Sequence, residues 1–376
     1  MKGEELVMLP GPVGVSHETL LAMATSMFSH RGPKFAKLYS DVREKLRSLL
    51  NTNGEVYFIT SSGTGGVEFS ASNLAGPGEK VVVCTNGFFA DRLRDSFLAV
   101  GADVTEVQSR WGEPVDLLEL EKRAEGAAIV AAVFNETSTG VVNQAKKIAD
   151  IAHSKGALCM MDNISGIGNE YYMDPWNIDV TVLATQKGLA TPPGSSFVVM
   201  SPEAREKARK TKKRSYYFNF DLYEKQAADL ATPATPAISI LYALNHSLDQ
   251  ILSEGVEKFT ARHHQNAEAF RLALGALGLN LFANKNYASD TISAIKMPGN
   301  ARKVVETMSK QFEVVVSTGL GQFREDVIRV GHMGRVDMKD IVTTVGALEM
   351  SMKLNSVGSF KLGDGVSAAM SKYLEK

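Results

Sequence analysis

The sequence predicts an α/β protein, with a mostly parallel sheet in a large domain and a smaller α+β domain following it. Three observations carry this expectation. Short apolar runs alternate with amphipathic segments over most of the first two-thirds of the chain, the pattern of strands joined by right-handed crossover helices. After Pro236 the pattern changes to long helices and then short strands. The 376 residues also exceed the roughly 250–300 that a single hydrophobic core usually serves.

Val56–Ile59, Val81–Cys84, Ile129–Phe134, Leu158–Met161, Val180–Ala184 and Ser196–Met200 read as buried strands. Leu117–Glu125 and Ala145–Lys155 carry helical patterns between them. Ala237–Ser253 and Val256–Leu277 are predicted as long helices, the second a bridge out of the large domain. Beyond it, Thr291–Met297, Phe312–Ser317 and Val327–Val330 are short strands flanking a helix over Ala301–Lys310. The smaller domain is expected to end with the helix Met338–Lys353. No internal repeat or low-complexity tract interrupts the pattern. Ligands of such sheets bind beyond the carboxyl ends of the strands, so chemistry is sought there.

A formal net charge of −1 argues against a dedicated nucleic-acid binder, which would show a strongly basic face. One basic stretch, Arg205, Lys207, Arg209, Lys210, Lys212, Lys213 and Arg214, reads as a solvated helix face rather than a polyanion site. Cys84 and Cys159 lie within the apolar runs VVVCT and ALCMM and are expected as small buried hydrophobes. Neither has C-x-x-C spacing, and a reducing compartment fits them best. The segment MKGEELVMLPGPVG lacks the organisation of a signal peptide, and no apolar run reaches the roughly 18 residues of a membrane span. A cytoplasmic protein is expected. His263 and His264, adjacent on a helix, point in different directions and are expected as solvent or interface residues, so no metal site is predicted.

Three signals carry chemistry. Ser61-Ser62-Gly63-Thr64-Gly65-Gly66 stands between the strand Val56–Ile59 and the segment Val67–Leu74. Glycine allows close backbone approach, and amides at a helix start form an anion site. The stretch lacks the spacing and lysine of a nucleotide-triphosphate loop. Asp162 closes the strand Leu158–Met161, either facing a ligand or capping the turn with Asn163 and Ser165. Thr185-Gln186-Lys187-Gly188 follows the strand Val180–Ala184. A lysine there points into the strand-end crevice, where burial and nearby positive charge lower its pKa as a Schiff-base nucleophile requires. Singly these residues are a turn, a cap and a surface charge. In this order they match the needs of pyridoxal phosphate, which takes one partner each for its phosphate, its pyridine nitrogen and its aldehyde.

The sequence resembles the class V aminotransferases of the alanine–glyoxylate and serine–pyruvate type. LPGPVGVS, SSGTGGVE, TNGFFADR, FNETSTGV, MDNISG, TQKGLATPPGSSF, ATPATPAISILYAL and IRVGHMG carry the resemblance, in the family's order from Leu9 to Gly334. It implies the fold type I of pyridoxal-phosphate-dependent transferases, with a seven-stranded sheet. The implied divisions are an N-terminal arm over 1–15 that packs on the active site and small domain, a large cofactor-binding domain over 16–256 and a small domain over 257–376. Lys187 would hold the cofactor as a Schiff base, and Asp162 would keep its pyridine nitrogen protonated. Ser62, Gly63 and Thr64 would cradle the phosphate with Gln186 beside them. Phe89 would stack on one ring face, where the family often has tryptophan, and Ile164 would pack on the other. Thr137 would lie near the ring or its phenolic oxygen. Arg329 would grip the substrate α-carboxylate, with Gly11 also at the substrate. Thr235, or Thr232 given the repeated Thr-Pro, would reach the phosphate of the neighbouring subunit in a homodimer.

The implied reaction is a ping-pong transamination, with Lys187 moving a proton from the substrate α-carbon. Arg329 accounts for one carboxylate. Arg31 could supply a second cation, though a structural or interfacial role suits it better. A small donor, alanine or serine, with glyoxylate or pyruvate as acceptor is therefore expected; aspartate or an aminophosphonate is the alternative donor. Cysteine desulfurase chemistry needs a cysteine on a mobile loop, which neither Cys84 nor Cys159 provides. No residue specifically favours a kynureninase-like lyase, and the complete set Asp162, Lys187 and Arg329 argues against a catalytically silent scaffold.

Overall fold

A computed structural model describes residues 5–375. The described residues open with a two-residue strand β1 (Leu6–Val7), a short helix α1 (His17–Ala22) and the long helix α2 (Pro33–Leu50). The main sheet is built from β2 (Glu55–Ile59), β3 (Lys80–Thr85), β4 (Asp103–Gln108) and β5 (Ile129–Val133). After a tight hairpin, β6 (Asn135–Glu136) and β7 (Val141–Val142), it is completed by β8 (Leu158–Asp162), β9 (Val180–Ala184) and β10 (Ser196–Met200). The spatial order is β2-β10-β9-β8-β5-β3-β4. β10 runs antiparallel to both its neighbours, and the remaining pairings are parallel. Every residue of β5, β9 and β10 is buried, which is why these strands read as unbroken apolar runs: helices cover both faces of the sheet.

The crossovers include α3 (Gly63–Leu74), α4 (Phe88–Ala99), α5 (Leu117–Arg123) and α6 (Ala145–Ser154). After the sheet come α7 (Pro202–Lys210), α8 (Phe220–Ala228), α9 (Ile238–Glu254) and α10 (Val256–Ala276). The basic stretch lies along and just beyond α7, where Arg205 and Arg209 meet Glu224, Lys207 meets Glu79 and Lys210 meets Glu206. With Lys213 on Asp221, five of its seven charges are paired within the chain. Cys84 and Cys159 are buried and unbridged.

The C-terminal part forms an antiparallel sheet of β11 (Asn280–Leu281), β12 (Ile292–Lys296), β14 (Ser317–Thr318) and β15 (Val327–Gly331), in the order β11-β12-β15-β14. Two expectations fail here. The predicted strand Phe312–Ser317 is split: α11 (Ala301–Phe312) runs through Phe312, and Glu313 stops it in the left-handed region at φ 54°. Then β13 (Val314–Val315) pairs in parallel with β1, leaving only Ser317–Thr318 for the sheet. Nor does the chain end with α12 (Met338–Leu354). A further helix, α13 (Asp364–Leu374), follows, its start bonded to the Glu349 carboxylate and its Tyr373 hydroxyl to Asn266.

Buried apolar residues fall into one large cluster drawn from residues 35–259, a second drawn from Met8 and residues 269–369, and a small third of Val13, Ala190, Ile292 and Met333. His263 corrects another expectation. It is fully buried, with Nδ1 on the Phe259 carbonyl at 2.7 Å, and burial lowers its pKa to about 4, so it is a neutral core residue. His264 is exposed beside Asp290. None of the described helices is long and apolar enough to cross a membrane.

Candidate active site

The carboxyl ends of β2, β3, β5, β8 and β9 open onto one cavity of about 220 Å³. Its wall includes Ser62, Gly63 and Thr64, Phe89, Thr137, Asp162 and Ile164, and Gln186 and Lys187. Most of the predicted site thus lines a single space, although its members come from five separate loops.

The helix α3 supplies one wall. Ser62 is its N-cap, with φ −72° and ψ 170°, yet its hydroxyl caps no amide. The amides of Gly63 and Thr64 have no acceptor among the described residues, as the first turn of a helix leaves them. Together with the helix dipole they make an anion site. A Cβ on Gly63 would lie 2.5 Å from Ile164 Cδ1, so only glycine lets this turn pass so close to the opposite wall.

Asp162 ends β8 with its carboxylate buried. Burial raises its pKa to about 6, with Glu136 adding to the rise; the Ile164 amide, 3.0 Å from Oδ1, Lys187 and Arg92 oppose it. The capping role and the cavity-facing role coexist.

Lys187 lies in the turn between β9 and β10, and its Nζ donates to the Pro10 carbonyl. Burial lowers its pKa to about 8, helped by Arg329 and Arg92 and opposed by Asp162. Gly11, at φ 112°, passes directly over this amine: a Cβ there would fall 2.4 Å from Nζ.

Phe89 stands in the first turn of α4, which a buried carboxylate fixes in place. Glu136 accepts from the Ala90 amide at 2.9 Å, the Ser138 hydroxyl at 2.6 Å and the Ser138 amide at 3.0 Å. One side chain therefore locks the Phe89 helix to the turn bearing Thr137. The Thr137 hydroxyl donates to Ser165 Oγ at 2.7 Å.

Arg329, on β15, is not among the residues lining the cavity. Its Nε donates to the Thr318 carbonyl at 2.9 Å and its Nη1 reaches the carbonyl of Thr137 at 3.5 Å. Burial pulls its pKa down to about 10, against the pull of Glu136. Thr232 and Thr235 also lie outside the cavity wall. Thr232 is buried and its hydroxyl donates to the Ala234 carbonyl at 2.7 Å, whereas Thr235 is exposed. Arg31 bonds Gln226 and the Thr232 carbonyl, each at 2.8 Å, a structural tie on the Thr-Pro loop.

Sequence reasoning missed Arg92, Asn135 and Ser165, all in the cavity wall. Arg92 was legible as the residue one helical turn after Phe89, on the same face. Asn135 and Ser165 sit inside recognised stretches, but nothing in their spacing shows which way they point. Among the described residues no His, Cys, Asp and Glu side chains cluster as a metal site.

The family model described as "Aminotransferase class-V" matches residues 15–336. An L-aspartate–glyoxylate aminotransferase of Paracoccus denitrificans (strain Pd 1222) is 33% identical, over 99% of this chain and 97% of its own. A protein described as the soluble hydrogenase 42 kDa subunit of Anabaena cylindrica is also 33% identical, with 98% of each chain covered. Among solved structures, an alanine–glyoxylate aminotransferase from Nostoc sp. superposes with a TM-score of 0.89 at 29% identity, over 94% of this chain and 96% of that one.

Proposed function

The chain belongs to the class V aminotransferases, pyridoxal-phosphate-dependent enzymes of fold type I, and on that premise we propose that it moves the amino group of alanine or serine to glyoxylate or pyruvate. The observation that carries this reading is the single cavity joining the uncapped start of α3, the Asp162 carboxylate and a buried Lys187 of lowered pKa.

The residues fit the cofactor. Gln186 Oε1 and Asn135 Oδ1 are buried in the cavity wall without a hydrogen-bond partner among the described residues, and buried polar atoms require one. Val67, Leu93, Val133 and Ile164 supply apolar wall between the polar groups, as a flat aromatic ring requires.

Bound there, the cofactor supplies an aldehyde that receives the amino group and a protonated ring that draws electrons from the substrate α-carbon. In our reading Ser62, Gly63, Thr64 and the side-chain N–H groups of Gln186 would hold the phosphate, and Phe89 and Ile164 would cover the two ring faces. The Asp162 carboxylate would keep a proton on the ring nitrogen, and Thr137 would lie near the ring or its phenolic oxygen. Lys187 holds the cofactor covalently and, once displaced by the amino substrate, its Nζ carries a proton away from the substrate α-carbon. The neutral amine needed for both tasks is favoured by its burial. Arg329 binds the substrate α-carboxylate, and Gly11 leaves room for it beside Lys187. Two half-reactions at one lysine give ping-pong kinetics.

The reading includes a homodimer in which Thr235 of one protomer reaches the other's phosphate. Its exposure supports Thr235 over the buried, internally bonded Thr232. A cytoplasmic location is supported by two buried, unbridged cysteines. A second donor, aspartate, is favoured by the name of the Paracoccus relative.

The test is direct. Purified protein should show the visible absorbance band of lysine-bound cofactor, and Lys187→Ala should remove covalent attachment and nearly all turnover. A colourless protein that neither takes up pyridoxal phosphate nor transaminates would defeat the proposal. A screen of alanine, serine and aspartate against glyoxylate and pyruvate then decides the donor.

A further inference from the structure

We infer that Arg92 is a cofactor-binding cation that holds the phosphate from the α4 side. The inference rests on the reading of the cavity as a pyridoxal phosphate site. Arg92 lines that cavity together with Ser62, Gly63, Thr64 and Lys187. Its Nη1 donates to the Thr64 hydroxyl at 3.0 Å, so the guanidinium sits at the start of α3, where the unbonded amides of Gly63 and Thr64 already favour an anion.

The charge is otherwise unspent. Among the described residues Arg92 makes no ion pair, while Arg94, two positions along the same helix, takes Asp91, Asp95 and Glu106. The neighbouring acid Asp91 thus serves Arg94 and leaves Arg92 free. A guanidinium has five donors, and this one uses a single donor, to Thr64. It is also held in place: its Cζ lies 5.0 Å from the Phe89 ring centroid and 5.5 Å from that of Phe88, a cation–π arrangement. The helix start that bears both rings is locked by Glu136. A preorganised, half-buried fork with donors left over, beside two bare amides, is suited to a phosphate dianion.

Arg92 therefore does two things that can be separated: it supplies charge to the phosphate and it braces Phe89. The separating experiment is equilibrium binding to cofactor-stripped protein, using pyridoxal 5'-phosphate and pyridoxal as the two probes. A charge-assisted bond lost from the phosphate predicts roughly 10- to 100-fold weaker pyridoxal 5'-phosphate binding in Arg92→Gln. Pyridoxal, lacking the phosphate, should lose no more than about three-fold. Arg92→Lys should recover part of the loss, because the charge remains and the fork does not. Inorganic phosphate should compete with pyridoxal 5'-phosphate less well in Arg92→Gln than in the parent. Equal losses for both probes, as Phe89→Leu should give, would reduce Arg92 to a brace and overturn the inference. So would an Arg92→Gln protein that binds both probes like the parent. A parent protein that binds neither probe would instead defeat the cofactor reading itself, and this inference with it.

Discussion

At the scale of single residues, the site is organised by charges kept out of water. Lys187 is the sharpest case. Desolvation, then the Arg329 charge, bring its pKa from 10.5 to about 8. The unfolded chain returns the amine to its ordinary value. Between pH 8 and 10.5 the unfolded chain therefore holds more protons than the folded one, and stability rises with pH across that window. Below about pH 8 both states are protonated and the folded state bears the whole penalty, on the order of 3 kcal/mol. In the cofactor-free protein, Lys187→Met is thus expected to be more stable than the parent at pH 7, by roughly 2–3 kcal/mol. The difference should shrink towards zero as pH approaches 10.5. Denaturant unfolding of both proteins at pH 7, 9 and 10.5 checks this, and a pH-independent difference would show that the amine is not perturbed in the fold.

At the scale of elements, the proposed phosphate site depends on how closely α3 lies on the sheet. Gly63 faces Ile164 and Ala184, and Gly66 faces β9 and β10: a Cβ on Gly66 would lie 2.8 Å from Val182 Cγ1 and 3.0 Å from Ser196 Oγ. Gly66→Val should lift the helix start, costing about 1–3 kcal/mol through overpacking, and weaken cofactor binding although Gly66 is not in the cavity wall. Thermal melting with cofactor titration measures both; lost stability at unchanged affinity would mean that the α3 start does not hold the phosphate. The same packing explains what could be read from the sequence. Strands buried on both faces, such as Val180–Ala184 and Ser196–Met200, were legible to the residue, because burial leaves an unbroken apolar run. β4 was not, since at the sheet edge Asp103–Gln108 has only Val107 fully covered. The antiparallel sense of β10 was also hidden, because an apolar run carries no direction. The helix α13 escaped for a related reason: of its residues only Gly365 and Ala369 are buried. In the site, Asp162 and Lys187 were legible from their places after strands and Arg92 from its place one helical turn beyond Phe89, whereas Asn135 and Ser165 depend on side-chain direction that only packing fixes.

At the scale of the whole molecule, residues 6–13 tie the second core to Lys187. β1 pairs with β13, Met8 is fully buried in the second core, and its carbonyl accepts from the Gly331 amide at 2.8 Å. Two residues on, the Pro10 carbonyl receives Lys187 Nζ, Gly11 closes over that amine, and the Val13 amide bonds the Gln186 carbonyl at 3.2 Å. Any shift of the second core relative to the large sheet must therefore move, or break, contacts at Lys187. Met8→Ala removes a buried side chain that is not part of the cavity wall and should cost about 2–5 kcal/mol. Because the chain from Met8 to Val13 is short, the loss is expected to appear at both ends. Amide exchange should quicken in β13 and β15, and also at Val13, and the cofactor should dissociate faster from the variant. Hydrogen exchange with and without cofactor distinguishes this from a local defect. If protection were lost only in β13 and β15, with Val13 and cofactor release unchanged, the arm would be a packing element of the second core and nothing more.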